Sequence, residues 1–559
     1  MSPHCAKRPC SPSLVPGSFA SQATDQGDVF LPVQAATLVG SLPRSLARLL
    51  FLALTCTLAL TSNAQANPHT HHRQSASPAQ SPGQHASGLP RDVLNTLRQA
   101  QVPPSALSVL IAPLPKDNRP PPQPRLSHQA HTSVNPASVM KLFTTYAGLS
   151  LLGPEHVWRN RIYTDGPLRD GVLQGNLIVR GSGDPKLVLE RLQDLIAQVH
   201  AAGVREVRGD IVLDRSVFDV RERSEPFDDE PLRPYNVSPD GLLMNFKAVI
   251  YKFTPDTANG RVQVQFEPPL AGLSVPTQLP LSPGRCNDWR GQLQADFSQP
   301  LQVRFQGRYP ASCGEREWPV AFPDPAHYAP RVMQAMWQAA GGRLSGQVRY
   351  GRRPASATLL LEAPSLPLAE IIQDINKFSN NVMAQQLFLS LSSELGAPGR
   401  FEASVLRTSQ WWRSQFPGIE APVLDNGSGL SRHERSSAHT LTALLQAAMA
   451  GPHAQAFVDS LSLAGVDGTA ARLKDRNPGS PVIGNAWFKT GSLRDVASVA
   501  GYVQGQSGQR YTVVAILHHP NAPQARAALD QLLEWTVRDQ NNTSKARTAK
   551  RSKAGEQGQ

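Results

Sequence analysis

The sequence changes character twice along its length, and these changes limit the folds that it can adopt. Between residues 154 and 357, short runs such as GNLIVRGSGDP and GRVQVQFEPPL are separated by glycine and proline, which is typical of strands and turns. The flanking segments, 90–153 and 358–539, contain longer helical patterns. Because an insertion in a surface loop leaves both ends of its host domain together, we predict an α/β domain in two pieces around a large β-rich inserted domain.

Individual elements can be placed within this frame. In the first piece we expect a helix at 90–100, a strand at 106–111 and a second helix from Pro136 to about 152, capped by Asn135. The insertion shows one clear helix, at 187–202. The second piece is expected to contain four helices, three antiparallel strands and a last helix, at 368–376, 382–395, 401–415, 440–449, 485–492, 495–504, 510–519 and 523–537.

Within residues 1–66, the stretch from Ser41 onward has the pattern of a secretory signal. Arg44 and Arg48 precede a short apolar run, which ends before the small-residue pattern Ala64-Gln65-Ala66. We therefore predict that the protein is exported to the periplasm. The residues ahead of the signal are read as an extra N-terminal extension, with the true translation start near Val39.

The polar segments on either side of the predicted folded body, and the net charge of the chain, indicate which partners to expect. Residues 67–89 are predicted to be a disordered linker and residues 540–559 a disordered basic tail. The formal net charge is +12, but the basic residues of the folded body are scattered and form no aromatic-interleaved stripe. We expect no nucleic-acid partner and at most a peripheral contact with the membrane, and the oligomeric state stays open.

Two cysteines, Cys286 and Cys313, remain after the predicted cleavage. In an exported chain the pair favours a single disulfide, and two free buried thiols are the alternative. Neither cysteine has a histidine at the spacing of zinc ligands.

Three short motifs bear chemical side chains. They are S-x-x-K at Ser138 and Lys141, S-x-N at Ser379 and Asn381, and K-T-G at Lys489, Thr490 and Gly491. Taken singly, S-x-x-K can be a solvated lysine on an ordinary helix, and S-x-N can be a helix-capping turn. All three in this order, each in a suitable predicted element, are hard to attribute to chance.

The residue types suit nucleophilic catalysis. A serine hydroxyl reacts only when its proton is removed, and a neutral Lys141 one turn after Ser138 can remove it. Crowding by Lys489 and partial burial would lower the lysine pKa enough for this role. We expect Ser379 to pass the proton to the leaving amine and Asn381 to bond the substrate amide.

The third motif would complete the site. Lys489 and Thr490 are candidates for holding a substrate carboxylate. Gly491 would let the strand backbone approach the substrate, because a side chain there would clash. The backbone N–H groups of Ser138 and Ser492 are expected to form the oxyanion hole.

The motifs resemble those of the penicillin-recognising serine enzymes, the DD-peptidases and serine β-lactamases. More than 200 residues separate Ser138 from Ser379, and this long insertion resembles the class C, type-4 penicillin-binding proteins, the D-alanyl-D-alanine carboxypeptidase/endopeptidase family. The stretches GNLIVRGSGDPKL, DNGSGLSR and KTGSLRDVASVAGY are also similar to that family. The resemblance implies an α/β (α+β) serine DD-peptidase/β-lactamase-like domain split by the inserted domain.

The resemblance also implies an activity. It is a peptidase of peptidoglycan that removes the terminal D-alanine of stem pentapeptides and cuts D-alanyl-meso-diaminopimelate cross-links through an acyl-enzyme on Ser138. Penicillin and other β-lactams would acylate the same serine, and no metal or cofactor is needed. Arg432, in LDNGSGLSR, would meet a distal carboxylate of the peptide, with Asp229 and Tyr235 of PFDDEPLRPY nearby. A structural turn and a solvated acidic loop are the alternatives for these two segments.

Two rival functions remain. A β-lactamase would share the acylation residues but needs an activated water for rapid deacylation, and the long insertion argues against it. A non-catalytic protein that binds the cell wall would not need both lysines, the serine and the asparagine of the motifs.

Overall fold

The structure is a computed structural model that describes residues 88–115, 123–221 and 226–540. The predicted signal, its cleavage site, the start near Val39, almost all of the linker and the basic tail lie outside the described residues. None of the helices in the described ranges is long and apolar enough to cross a bilayer.

Twelve α-helices occur in the described part of the chain. They are α1 (Arg91–Gln99), α2 (Lys141–Leu152), α3 (Leu189–Ala201), α4 (Trp289–Leu293), α5 (Pro325–Ala339), α6 (Leu368–Lys377), α7 (Asn381–Ser393), α8 (Phe401–Gln415), α9 (Ala438–Ala450), α10 (Ala454–Asp459), α11 (Leu473–Arg476) and α12 (Ala527–Val537). The helix α5 was not predicted, because Pro330 interrupts its apolar pattern.

The strands of the described residues form five sheets. They are β1 (Leu107–Pro113), β2 (Leu126–His128), β3 (Arg159–Thr164), β4 (Leu168–Arg169), β5 (Val172–Leu173), β6 (Leu177–Arg180), β7 (Glu206–Val207), β8 (Ile211–Asp214), β9 (Ala248–Asp256), β10 (Arg261–Glu267), β11 (Gln278–Ser282), β12 (Ala295–Gln299), β13 (Gln302–Phe305), β14 (Tyr309–Pro310), β15 (Arg316–Ala321), β16 (Arg343–Leu344), β17 (Val348–Tyr350), β18 (Thr358–Pro364), β19 (Ser462–Leu463), β20 (Ala486–Leu493), β21 (Val496–Gln504) and β22 (Arg510–His518).

One six-stranded sheet, in the order β19-β20-β21-β22-β1-β2, carries the K-T-G motif. β1 pairs with β22 in antiparallel register, so the first and second pieces of the chain share this sheet. Every residue of β1 is buried, because α1 and α12 cover one face of the sheet and the other face packs on the helical layer. A strand buried on both faces explains why LSVLIAP is apolar at every position except Ser108.

The helical layer beside this sheet contains α2, α6, α7, α8 and α9. All residues of α7 from Asn381 to Ser392 are buried. The amide of Gln386 on α7 exchanges two 2.9 Å hydrogen bonds with the backbone of Asp240, a residue of the insertion. The helix that begins with Asn381 is therefore held from both sides.

The strands from β3 to β18 form the other four sheets. Two five-stranded sheets have the orders β17-β8-β6-β3-β18 and β14-β11-β10-β9-β15, and they share an apolar core rich in aromatic residues with α3 and α5. β18, placed by sequence in the second piece, pairs with β3 inside the insertion. Cys286 and Cys313 form a disulfide beside this core.

Candidate active site

Ser138 lies in a short 3₁₀ turn, Ala137–Met140, immediately before α2. The prediction of a helix that begins at Pro136 was wrong, because α2 begins at Lys141. Instead of capping an α-helix, the Asn135 side chain accepts a 2.9 Å hydrogen bond from the Ala137 N–H and donates at 2.7 Å to the Ser431 carbonyl. Ala137 has a φ of +49°, a backbone conformation that is costly for an alanine.

Two glycines allow the backbone to pack around this turn. A Cβ on Gly491 would overlap Ser498 Oγ and lie 2.7 Å from the Pro136 carbonyl oxygen, and one on Gly429 would overlap the carbonyl of Ala137. A side chain at Gly491 would therefore clash with Ser498 and with the turn that carries Ser138, and the expected clash with the substrate stays a prediction. Gly429 also has a φ of +81°, which favours glycine.

Lys141 is fully buried, with its amine at the centre of the site. Its Nζ lies 3.0 Å from Ser138 Oγ, 2.5 Å from Asn381 Oδ1 and 2.5 Å from the carbonyl oxygen of Ser428. Burial lowers the pKa of Lys141 to about 7, although the charge of Glu434 opposes the shift. Burial is thus complete rather than partial, and it is the leading cause of the low pKa.

The S-x-N motif lies in the turn between α6 and α7. Ser379 has a φ of +59°, and the Asn380 side chain caps α7 by accepting a 3.1 Å hydrogen bond from the Met383 N–H. Asn381 is buried, its Oδ1 accepts from Lys141, and its Nδ2 donates to the Tyr235 carbonyl at 3.4 Å. The asparagine therefore contacts the base, and its expected bond to a substrate amide stays a prediction.

Lys489 on β20 is also fully buried. Its Nζ donates to Ser379 Oγ at 2.8 Å and to the Thr490 carbonyl at 2.7 Å. Burial, and then the charge of Lys141, hold the pKa of Lys489 well below its usual range. The Thr490 hydroxyl lies 2.9 Å from that of Thr469, and Ser492 is exposed further along the same strand.

The structure thus joins the motifs in two contacts. Ser138, Lys141 and Asn381 form one hydrogen-bonded group, and Ser379 with Lys489 forms the other. Such an arrangement can take a proton from one hydroxyl and offer a second hydroxyl as a relay. Within the described ranges, no cluster of three or more histidine, cysteine or acidic side chains is arranged to hold a metal ion.

Of the predicted substrate residues, Tyr235 contacts a motif residue, because its carbonyl accepts from Asn381, whereas the cavity that contains Arg432 is not lined by the motif serines or lysines. Arg432 is exposed, stacks 4.7 Å from the ring centre of Phe227 and lines a cavity of about 900 Å³. Tyr235 is 38% exposed and donates to Asp228 at 2.8 Å, Asp229 is exposed, and neither Tyr235 nor Asp229 lines that cavity. The acidic partner of Tyr235 is therefore Asp228, one residue before the predicted Asp229.

Sequence reasoning missed three contacts of the site. The Ser428 carbonyl bonds Lys141, the Glu434 carboxylate bonds the loop that contains Ser428, and Thr469 bonds Thr490. The only signal for the first two was the pair of glycines in NGSGLS, which requires an unusual backbone path.

Comparison with known proteins identifies the family of the chain. Residues 101–538 match the D-Ala-D-Ala carboxypeptidase 3 (S13) family. The chain belongs to this family. The family predicted from the three motifs is confirmed, together with the serine DD-peptidase class.

Individual relatives agree with this membership. The D-alanyl-D-alanine carboxypeptidase of Actinomadura sp. (strain R39) is 31% identical over 413 residues, which cover 70% of this chain and 74% of the relative. The D-alanyl-D-alanine carboxypeptidase DacB of Haemophilus influenzae is 25% identical over 398 residues, 68% of this chain and 80% of the relative.

A solved structure supports the fold. Penicillin binding protein 4 (dacB) from Haemophilus influenzae superposes with a TM-score of 0.62 at 22% identity, covering 79% of this chain and 99% of that one. The predicted mixed α/β fold of the DD-peptidase type is therefore confirmed.

Proposed function

We propose that this S13-family chain is a serine DD-peptidase of peptidoglycan in which Ser138 is the nucleophile and Lys141 is its base. The contacts of the buried Lys141 amine support this assignment most directly. In the neutral amine, two N–H bonds can point to Asn381 Oδ1 and the Ser428 carbonyl, and the lone pair then faces the hydroxyl of Ser138. A pKa of about 7 leaves the amine neutral in a large fraction of molecules near neutral pH.

The reaction follows from these positions. Ser138 Oγ attacks the carbonyl carbon between the last two D-alanines and gives its proton to Lys141 Nζ. The C–N bond then breaks, and a proton reaches the leaving amine through the hydroxyl of Ser379, which Lys489 orients. Water cleaves the resulting ester, releasing the shortened peptide and restoring the serine. The backbone N–H groups of Ser138 and Ser492 would stabilise the oxyanion in both steps.

Substrate and location complete the proposal. A terminal D-alanine carboxylate would meet Thr490 and Lys489, and Arg432 would meet a distal carboxylate on the stem peptide. Hydrolysis of cross-links is proposed beside carboxypeptidase activity. The protein would act in the periplasm after cleavage of its signal, and penicillin would form a covalent ester with Ser138.

Release of D-alanine tests the proposal. The mature protein is incubated with a stem pentapeptide ending in D-Ala-D-Ala, and free D-alanine is measured. We expect release by the wild type and by Ser105→Ala, an exposed serine in the turn before β1, but not by Ser138→Ala. A folded wild type that releases no D-alanine and hydrolyses no cross-linked dimer would contradict the proposal. Rapid hydrolysis of penicillin would indicate a β-lactamase instead.

A further inference from the structure

Glu434 is a buried carboxylate that none of the proposed chemical steps uses. It has no exposed surface and ends the loop 424–434 (LDNGSGLSRHE), called here the 424–434 loop. Its two carboxylate oxygens accept four backbone hydrogen bonds from within this loop. The donors are the N–H groups of Asp425 at 3.2 Å, Asn426 at 3.1 Å, Gly427 at 2.7 Å and Gly429 at 2.7 Å.

These four bonds fix the part of the backbone that contacts Lys141. Ser428 lies between two of the donors, Gly427 and Gly429, whose φ angles are +71° and +81°. This backbone path leads to a Ser428 carbonyl oxygen that accepts from Lys141 Nζ. Because the neutral amine has only two N–H bonds, moving this acceptor would free one of them and rotate the lone pair away from Ser138.

Two groups of the described residues interact electrostatically with Lys141, and Asp425 in turn faces Glu434. The charge of Glu434 favours protonation of Lys141, and a protonated Lys141 disfavours protonation of Lys489. Burial raises the pKa of Glu434 itself, and the backbone N–H groups that it accepts from oppose this rise. Glu434 is therefore the acidic group whose charge offsets part of the effect of burial on the base.

We propose that Glu434 is a positioning residue for Lys141. Through the 424–434 loop, Glu434 holds the Ser428 carbonyl against the Lys141 amine, and its negative charge favours the protonated form of that amine. This inference rests on the proposed function of Lys141. It assigns to a loop carboxylate the control of the pH range in which the nucleophile is active.

The test is the pH dependence of acylation by a fluorescent penicillin, measured as a rate constant from pH 5 to pH 9. For Glu434→Gln we expect the midpoint of the rising limb to move down by about one pH unit, since an opposite charge is lost. We also expect the plateau rate to fall about tenfold or more, because an amide cannot accept all four N–H bonds. Glu420→Gln, which neutralises an exposed carboxylate four residues before the loop, is the control and should keep both the midpoint and the plateau.

A second variant keeps the inference testable where Glu434→Gln does not fold. Glu434→Asp keeps the negative charge, but its shorter side chain moves the carboxylate oxygens away from the N–H groups of the loop. The pH midpoint of acylation should therefore stay near that of the wild type, while the plateau rate falls. An unchanged midpoint in a folded Glu434→Gln, or a wild-type plateau in Glu434→Asp, would overturn the inference. A wild type that penicillin does not acylate would instead contradict the proposed function, so the two failures are distinguishable.

Discussion

At the scale of single residues, the site depends on two lysine amines that the fold removes from water. Lys141 and Lys489 have no exposed surface, yet each finds hydrogen-bond acceptors that do not carry a full charge. These uncharged acceptors satisfy the N–H groups of the two lysine amines without strongly favouring the protonated form of either amine. A carboxylate in direct contact with Lys141 would instead keep the amine charged and remove its use as a base.

The burial of Lys141 should make the free energy of unfolding depend on pH. Folded Lys141 loses its proton at a pKa of about 7, whereas an unfolded lysine keeps it to about 10.5. Between these values the unfolded state binds more protons, so stability rises with pH, by up to about 1.4 kcal/mol per pH unit for one such group. We expect Lys141→Met to reduce the increase seen in urea unfolding between pH 7 and pH 9.

Lys474→Met, at an exposed lysine, is the control and should leave the pH dependence of unfolding unchanged. If Lys141→Met has the same slope as the wild type, the amine of Lys141 does not titrate as the structure requires.

At the scale of elements, the site forms where the 424–434 loop and strand β20 close around the turn before α2. Gly429 and Gly491 provide the room for these approaches. The Ser498 hydroxyl on β21 donates at 2.7 Å to the Pro136 carbonyl and fixes the same turn from the sheet side. The position of Ser138 is therefore set by three separate segments and not by its own helix.

Substitution of Gly429 tests this packing. Gly429→Ala adds a Cβ that overlaps the Ala137 carbonyl, so the turn must move, and we expect acylation by penicillin to fall at least about tenfold. Gly418→Ala is the matched control, because Gly418 has a similar φ of +79° but nothing within 4 Å of the added Cβ. Backbone strain should lower the stability of Gly418→Ala by about 1 kcal/mol, and its rate of acylation should stay that of the wild type. Equal rates in the two variants would show that close packing at Gly429 is not needed.

At the scale of the whole molecule, an apolar core formed by residues between 162 and 363, almost all of them in the predicted insertion, is separate from the two cores that flank the six-stranded sheet. The disulfide lies in the insertion, and its closed loop spans 27 residues. We expect the double variant Cys286→Ser, Cys313→Ser to lose about 3–4 kcal/mol of the stability of the insertion. Thermal unfolding of the variant should show an earlier first transition, and acylation of Ser138 should persist through it.

Reduction of the wild type with dithiothreitol should reproduce this result. Loss of acylation in step with the first transition would contradict the predicted division into two domains.

Much of this architecture could be predicted from the sequence, because short motifs and strong periodicity carry local information. The five motif residues Ser138, Lys141, Ser379, Asn381 and Lys489 do lie together, and the predicted bounds of α8 agree with the structure. Other features depend on tertiary contacts. The direction of the Ser428 carbonyl follows from the four bonds to Glu434, and no sequence pattern states which backbone groups a distant carboxylate will bind.

The errors have the same origin. Asn135 suits a helix cap, but its amide bonds Ser431 across the fold and forms a turn instead. Residues 358–364 pair as β18 with β3, a partner some two hundred residues earlier that local propensity cannot identify.

The most direct test of the account is the location of the penicillin adduct. The mature protein is labelled with a fluorescent penicillin beside Ser138→Ala, its intact mass is measured, and the labelled peptide is mapped after trypsin digestion. We predict one persistent adduct on the wild type, on the peptide from Leu126 to Lys141 and at Ser138, and none on the variant. An adduct at another serine, or a folded wild type that takes no label, would contradict the assignment of Ser138 as the nucleophile.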